Sequence, residues 1–184
     1  LYTQMNGRPD WLCERAYAPM KDMERALRSQ GLPLYSLETF TPLRQFDVLG
    51  FSLQYEISYP EILTMLDLSG IPLLAAERDR GWPVVIGGGP CAYNPEPLAD
   101  FFDAFLLGDG EEATIEIASA FRAWKRSGGC KDDLLASLAN IPGVYVPSLY
   151  RVTHRDDGQI AAITPLRGDL PPVRRRFLGD LESA

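Results

Sequence analysis

The sequence predicts an α/β domain in three layers, a mainly parallel sheet covered by helices on both faces, with a small β-hairpin appended at the C-terminal end. Three observations carry this. Short, continuous apolar runs, the mark of strands buried on both faces, occur at 46–53 (FDVLGFSL), 82–86 (WPVVI) and 103–107 (DAFLL). Helical patterns alternate with them, and βαβα alternation implies crossovers onto parallel strands. From Gly143 the pattern changes to short runs, two of them joined by Arg155-Asp156-Asp157-Gly158, a hairpin turn signal.

In chain order, the helix over 20–30 has Met23, Ala26 and Leu27 at helical spacing. The helix over 59–69 (YPEILTMLDLS) has Pro60 in its first turn and Ser58 as a candidate cap. The longest, 111–127 (EEATIEIASAFRAWKRS), ends at Gly128 and Gly129, and its apolar stripe reads Ile115, Ala118, Phe121 and Ala123 or Trp124. Further strand candidates lie at 12–17, before a helix entry at Pro19, and at 34–37. Beyond Gly143 the strands read 144–146, 148–154 and 159–164. The organisation is therefore an α/β unit over 1–142 and a hairpin with a connecting segment over 143–184. Both ends read as cuts in a longer polypeptide.

At 184 residues, 46% hydrophobic and 23% charged, the chain can bury one core. A net charge of −7 with scattered basic residues argues against broad electrostatic capture of nucleic acid. The densest basic run, Arg174, Arg175 and Arg176, reads as a solvated connecting segment in preference to a phosphate site. No run approaches the roughly 18 apolar residues of a membrane span, and no signal peptide opens the chain, so no membrane partner and a cytoplasmic location are expected. Three widely separated cysteines, Cys13, Cys91 and Cys130, suit reduced thiols rather than a disulfide framework.

Three strand ends carry the candidate chemistry. Gly87, Gly88 and Gly89, before Pro90, close an apolar strand; they could let a ligand approach the backbone or simply form a tight turn. The run is not GxGxxG at a helix start and lacks the Lys-Ser/Thr of a phosphate loop, which disfavours dinucleotide or ATP binding. Gly108, Asp109, Gly110, Glu111 and Glu112 follow the next strand and open the longest helix, where acids are stabilised by about 0.3–1 kcal/mol each. Capping accounts for them, and so would hydrogen bonding to a ligand. Ser52, Leu53 and Gln54 end the first strand, and Tyr55 and Tyr93 follow two of these motifs. In an open α/β sheet, ligands bind at the carboxyl ends of strands. Trp11, Trp82, Trp124, Phe101, Phe102 and Phe105 read as core.

Ser-Leu after one strand, Gly-Gly after the next and Gly-Asp-Gly-Glu before the last helix together resemble the cobalamin-binding-like domain of radical SAM proteins. The stretch from DVLGFSLQYEISYP through VVIGGGPCAYNPEPLADFFDAFLLGDGEE is similar to one bacterial family of that class, and the likeness continues through GVYVPSLYRVTHRDDG and PPVRRRFLGDLESA. The resemblance implies a Rossmann-like, flavodoxin-like fold preceding a catalytic barrel on the same polypeptide. It implies that the barrel binds a [4Fe-4S] cluster through a CxxxCxxC motif and cleaves S-adenosylmethionine. That motif is absent here, and no residue of this chain is expected to be catalytic or to bind metal. The implied cofactor of this part is a corrinoid, cobalamin, held or once held in a crevice lined by Ser52, Leu53, Gly87, Gly88, Gly89, Gly108, Asp109, Gly110 and Glu111. The chain departs from histidine-ligated cobalamin domains in lacking DxHxxG, since its one histidine, His154, falls in the hairpin. The alternative is a docking module without cofactor. A signalling receiver is disfavoured, because its acidic cluster and partner lysine are not recognisable.

Overall fold

The computed structural model describes residues 1–179. A short helix, α1 (Tyr2–Asn6), and an extended run lead into α2 (Lys21–Gln30), which Gly31 ends at φ 63°. Then come β1 (Val48–Ser52), α3 (Tyr59–Leu68), β2 (Val84–Gly88), β3 (Ala104–Leu106), α4 (Glu111–Ser127), α5 (Lys131–Leu138) and β4 (Val144–Tyr145). A hairpin of β5 (Tyr150–His154) and β6 (Ile160–Pro165) follows. Residues 180–184, assigned on sequence to the connecting segment, lie outside the described residues.

Strands β1, β2 and β3 are parallel neighbours, in register Ser52 with Gly88 and Gly88 with Leu106. β4 adds to β3 antiparallel, giving a four-stranded sheet in the order β1-β2-β3-β4. The expected α/β class, mainly parallel sheet and C-terminal hairpin are all present. The boundary read at 142/143 passes just before β4, which pairs within the main sheet.

Strand alternation separates two cores. Leu49, Leu53, Val85, Phe105 and Tyr145 face α2 and α3, meeting Leu27, Ile62 and Leu66. Val84, Ile86, Ala104, Leu106 and Val144 face α4 and α5, meeting Ile117, Phe121, Leu134 and Leu138. Burying each large aliphatic side chain contributes about 1.5–3 kcal/mol, so helices on both faces are what permit strands of continuous apolar character.

Several expectations are corrected locally. Residues 12–17 form no strand and meet the 34–37 segment through the Leu37 N–H, which donates to the Arg15 carbonyl at 2.8 Å. The 34–37 candidate reduces to one bridge, Tyr35 with Pro42. β2 begins after Pro83, which has no N–H, and runs on through Gly87 and Gly88. Ser58 does not cap α3: it already sits in helical conformation and its hydroxyl donates to the Tyr55 carbonyl at 2.7 Å. On α4 the buried residues are Ala113, Ile117, Phe121 and Trp124, while Ile115 and Ala118 flank them and Ala123 is exposed. Trp124 takes the inner position because its indole N–H donates to the Cys130 carbonyl at 2.6 Å. α5 was not anticipated; it starts at a capping box in which the Asp133 carboxylate accepts the Cys130 N–H at 2.8 Å.

At the amino end of the strands an ionic network fixes the loop before β2. Arg78 is fully buried and donates to the carbonyls of Pro72, Leu73 and Phe101 and to Asp103 at 3.0 Å. Asp103 also accepts the Val85 N–H at 2.8 Å and pairs with Lys131 at 2.6 Å. Among the described residues no helix is long and apolar enough to cross a membrane.

Candidate functional site at the carboxyl ends of the parallel strands

Because β1, β2 and β3 are parallel and in register, Ser52, Gly88 and the turn after Leu106 stand at one rim of the sheet. The backbone ties its first two parts together: the Leu53 N–H donates to the Gly88 carbonyl at 2.7 Å and the Cys91 N–H to the Leu53 carbonyl at 2.9 Å. Ser52 is exposed, whereas Leu53 is fully buried in the core, so Ser52 presents a hydroxyl and Leu53 only backbone.

The glycines answer to the chain's own packing. A Cβ on Gly87 would come within 2.9 Å of both Leu53 and Phe105. Gly89, at φ 102°, would set a Cβ 3.2 Å from the Leu53 carbonyl oxygen. Gly88 has room, its nearest neighbour 3.9 Å away.

The third part of the rim is already engaged. Arg176 runs parallel to the extension of β3 at Gly108: its N–H donates to the Leu107 carbonyl at 2.9 Å, and its carbonyl accepts the Asp109 N–H at 3.2 Å. A Cβ on Gly108, at φ 110°, would fall 2.1 Å from the Arg176 carbonyl oxygen. The Asp109 carboxylate accepts the Leu178 N–H at 2.7 Å. The mostly buried Arg176 guanidinium pairs with Glu112 at 2.8 Å and Glu116 at 2.7 Å, carboxylates one turn apart on α4. The hydrogen bond from Arg176 holds the Glu116 carboxyl below the usual carboxylate range. Gly110 precedes α4, its carbonyl accepting the Thr114 N–H at 2.9 Å and the Thr114 hydroxyl at 2.6 Å, and Glu111 opens the first turn.

Tyr55 and Tyr93 are exposed beside these turns. The Arg175 guanidinium lies over the rings of Tyr93 and Phe177, 5.7 and 4.6 Å from their centroids. Cys91 donates its thiol hydrogen to the Gln54 carbonyl at 3.4 Å, and desolvation with the Glu56 carboxylate pushes that thiol up, so it is not an activated nucleophile. Cys13 and Cys130 are free thiols elsewhere, Cys130 at the start of α5. His154 is exposed on β5. Among the described residues no three His, Cys, Asp or Glu side chains gather as a metal ligand set.

Two hollows lie away from this rim. One, about 430 Å³, opens between the ends of α2 and α3 beside Arg28, Leu32 and Asp67. The other, about 220 Å³, lies at the amino ends of the strands, where Arg80 donates to the carbonyls of Gly128 and Lys125 and Lys125 pairs with Asp47. Sequence reasoning missed Arg176 with Glu112 and Glu116. The available signal was two acids at i and i+4 on one helix and a downstream arginine run, with nothing to join them.

A family model described as radical SAM proteins, N-terminal, matches residues 1–147. An uncharacterized protein of Methanocaldococcus jannaschii is 29% identical over 90 residues, 48% of this chain and 18% of its own length. The match thus spans under a fifth of that relative. No solved structure matches.

Proposed function

Because the chain belongs to the family of N-terminal regions of radical SAM proteins, we propose that it is the non-catalytic, Rossmann-like domain of a radical SAM enzyme and serves to dock and orient that enzyme's barrel. In this reading a [4Fe-4S] cluster and S-adenosylmethionine supply the radical chemistry from the barrel. The described residues bring no set of cysteines together: Cys13, Cys91 and Cys130 are separate free thiols, and desolvation with Glu56 pushes the Cys91 thiol up. The observation that carries the reading is the family match over residues 1–147, with the carboxyl rim in the position where such a sheet meets what it binds.

The residues present do not fit a corrinoid held by histidine. His154 is exposed on the hairpin, and Gly87, Gly89 and Gly108 are filled by Leu53, Phe105 and Arg176 rather than left as a cradle. Ser52 and Gly88, with Gln54 and Tyr55, form the open half of the rim, and they are what a histidine-free corrinoid would have to use. The half formed by Gly108, Asp109, Gly110 and Glu111 serves as the seat of the chain's own C-terminal segment.

The test is made on the full-length protein purified without oxygen and reconstituted with iron and sulfide. Cluster absorption and methionine release from S-adenosylmethionine are expected, and their absence would overturn the assignment. Titration with hydroxocobalamin is expected to leave the corrinoid spectrum unshifted. A saturable shift would restore the corrinoid reading, with Ser52 and Gly88 as its first residues to substitute.

A further inference from the structure

Around the carboxyl rim, side chains that belong inside a protein stand in solvent. Ile57 is 85% exposed, Tyr55 70%, Phe177 69% and Tyr93 48%. They come from three segments that touch one another. Cys91, two residues before Tyr93, bonds to Gln54 beside Tyr55, while Arg175 lies against both Tyr93 and Phe177. Single exposed apolar residues need no explanation, whereas a cluster of aromatic and aliphatic groups around one arginine has the composition of an interface centre.

The fold also brings the C-terminal segment to this cluster and holds it there. Arg176 is tied by two backbone hydrogen bonds and a fork to two carboxylates, and Leu178 is tied to Asp109. Between those ties Phe177 is turned outward. The family match ends at residue 147, so this segment lies on the C-terminal side of the matched region, and over four-fifths of the Methanocaldococcus jannaschii relative lies outside its match.

We propose that Tyr55, Ile57, Tyr93 and Phe177 form the face on which the radical SAM part of the same polypeptide packs, and that the Arg176 clasp holds the connecting segment so that this part meets the rim. The inference rests on the function proposed above and adds to it a surface and a positioning residue. Aromatic residues supply large contact area with few rotatable bonds, and the two-point tie removes freedom from the connection before docking, which raises the effective concentration of the linked part at the rim.

The experiment uses the full-length protein with a photo-crosslinking phenylalanine analogue at position 57 or 177, and peptide mapping by mass spectrometry. Crosslinks from both positions to the radical SAM part of the same molecule are expected. Arg176→Met in the same background is expected to lower their yield roughly tenfold, as for a loss of about 1.4 kcal/mol in docking. Crosslinks confined to residues 1–179, links between two copies, links to a different protein, or a yield unchanged by R176M would each overturn the proposal. Cluster absorption and methionine release, measured on the same samples, separate this failure from failure of the underlying reading. With both intact and no such crosslink, only the docking face is lost.

Discussion

Arg78 and Arg176 sit at opposite ends of β3 and each gathers loops around a guanidinium, yet they do so in different surroundings. Arg78 and its partner Asp103 are wholly buried, and three of the four groups that Arg78 binds are main-chain carbonyls. Arg176 is mostly covered, but Glu112 and Glu116 remain about half exposed. An ion network without water cannot be opened in parts, because any partner left behind keeps its charge in an apolar interior. A clasp whose carboxylates stay wet can open, and its strength answers to salt and pH. One end of β3 is therefore held by a buried network, while the other is held by a contact whose carboxylates stay in solvent. The second contact lies at the rim where an α/β sheet meets its ligands and partners.

The difference is broken most severely at Asp103. Asp103→Ala strands Arg78 and Lys131 and leaves the Val85 N–H without its acceptor, so a loss of about 3–5 kcal/mol is expected in urea unfolding. If Asp103→Ala cost under 1 kcal/mol, the network would be no more buried in effect than a surface pair.

Sequence patterns reveal some of this and hide the rest for a physical reason. The core strands are legible because burial on both faces demands unbroken apolar runs, and the rim position of Ser52, Gly88 and Gly108 follows once those strands are parallel. What fills Gly108 is not legible, since its neighbourhood is completed from across the chain; Leu178 and Asp109 are separated by 69 residues. A glycine needed for a ligand and one needed for the chain's own backbone leave the same letter. Arg78 is hidden in the same way, because a lone arginine in a loop reads as solvated until its acceptors are seen. α5 escaped because its eight residues are capped by Cys130, which is not a usual capping residue.

A smaller effect separates two glycines of one motif. Gly108→Ala places a methyl group into the Arg176 carbonyl at positive φ, and should cost about 1–3 kcal/mol while freeing the segment. Gly110→Ala has φ −96° and no neighbour nearer than 3.6 Å, so its cost should stay within about 0.5 kcal/mol. Tryptic cleavage after Arg174 and Arg175 reads the release: it should accelerate in G108A and stay unchanged in G110A. Equal cleavage in the two variants would mean that Gly108 does not seat the segment.

A smaller effect than that of Gly108→Ala belongs to the clasp's charge. Arg176→Met should cost only about 1 kcal/mol at neutral pH and low salt, because the carboxylates it leaves are hydrated. Its pH dependence carries the diagnosis. Arg176 lowers the Glu116 pKa in the folded protein, so the pair's contribution is complete above the unfolded value of about 4.3 and fades as pH falls through the lower folded value. The stability difference between wild type and R176M, measured by urea titration at pH 7 and at successively lower pH, should therefore shrink as the Glu116 carboxylate is protonated. Molar salt at pH 7 should shrink it too, while the cost of Asp103→Ala should resist salt because its charges are shielded from solvent. A difference for R176M that persisted in both acid and salt would mean the arginine acts through packing of its stem and not as an electrostatic latch.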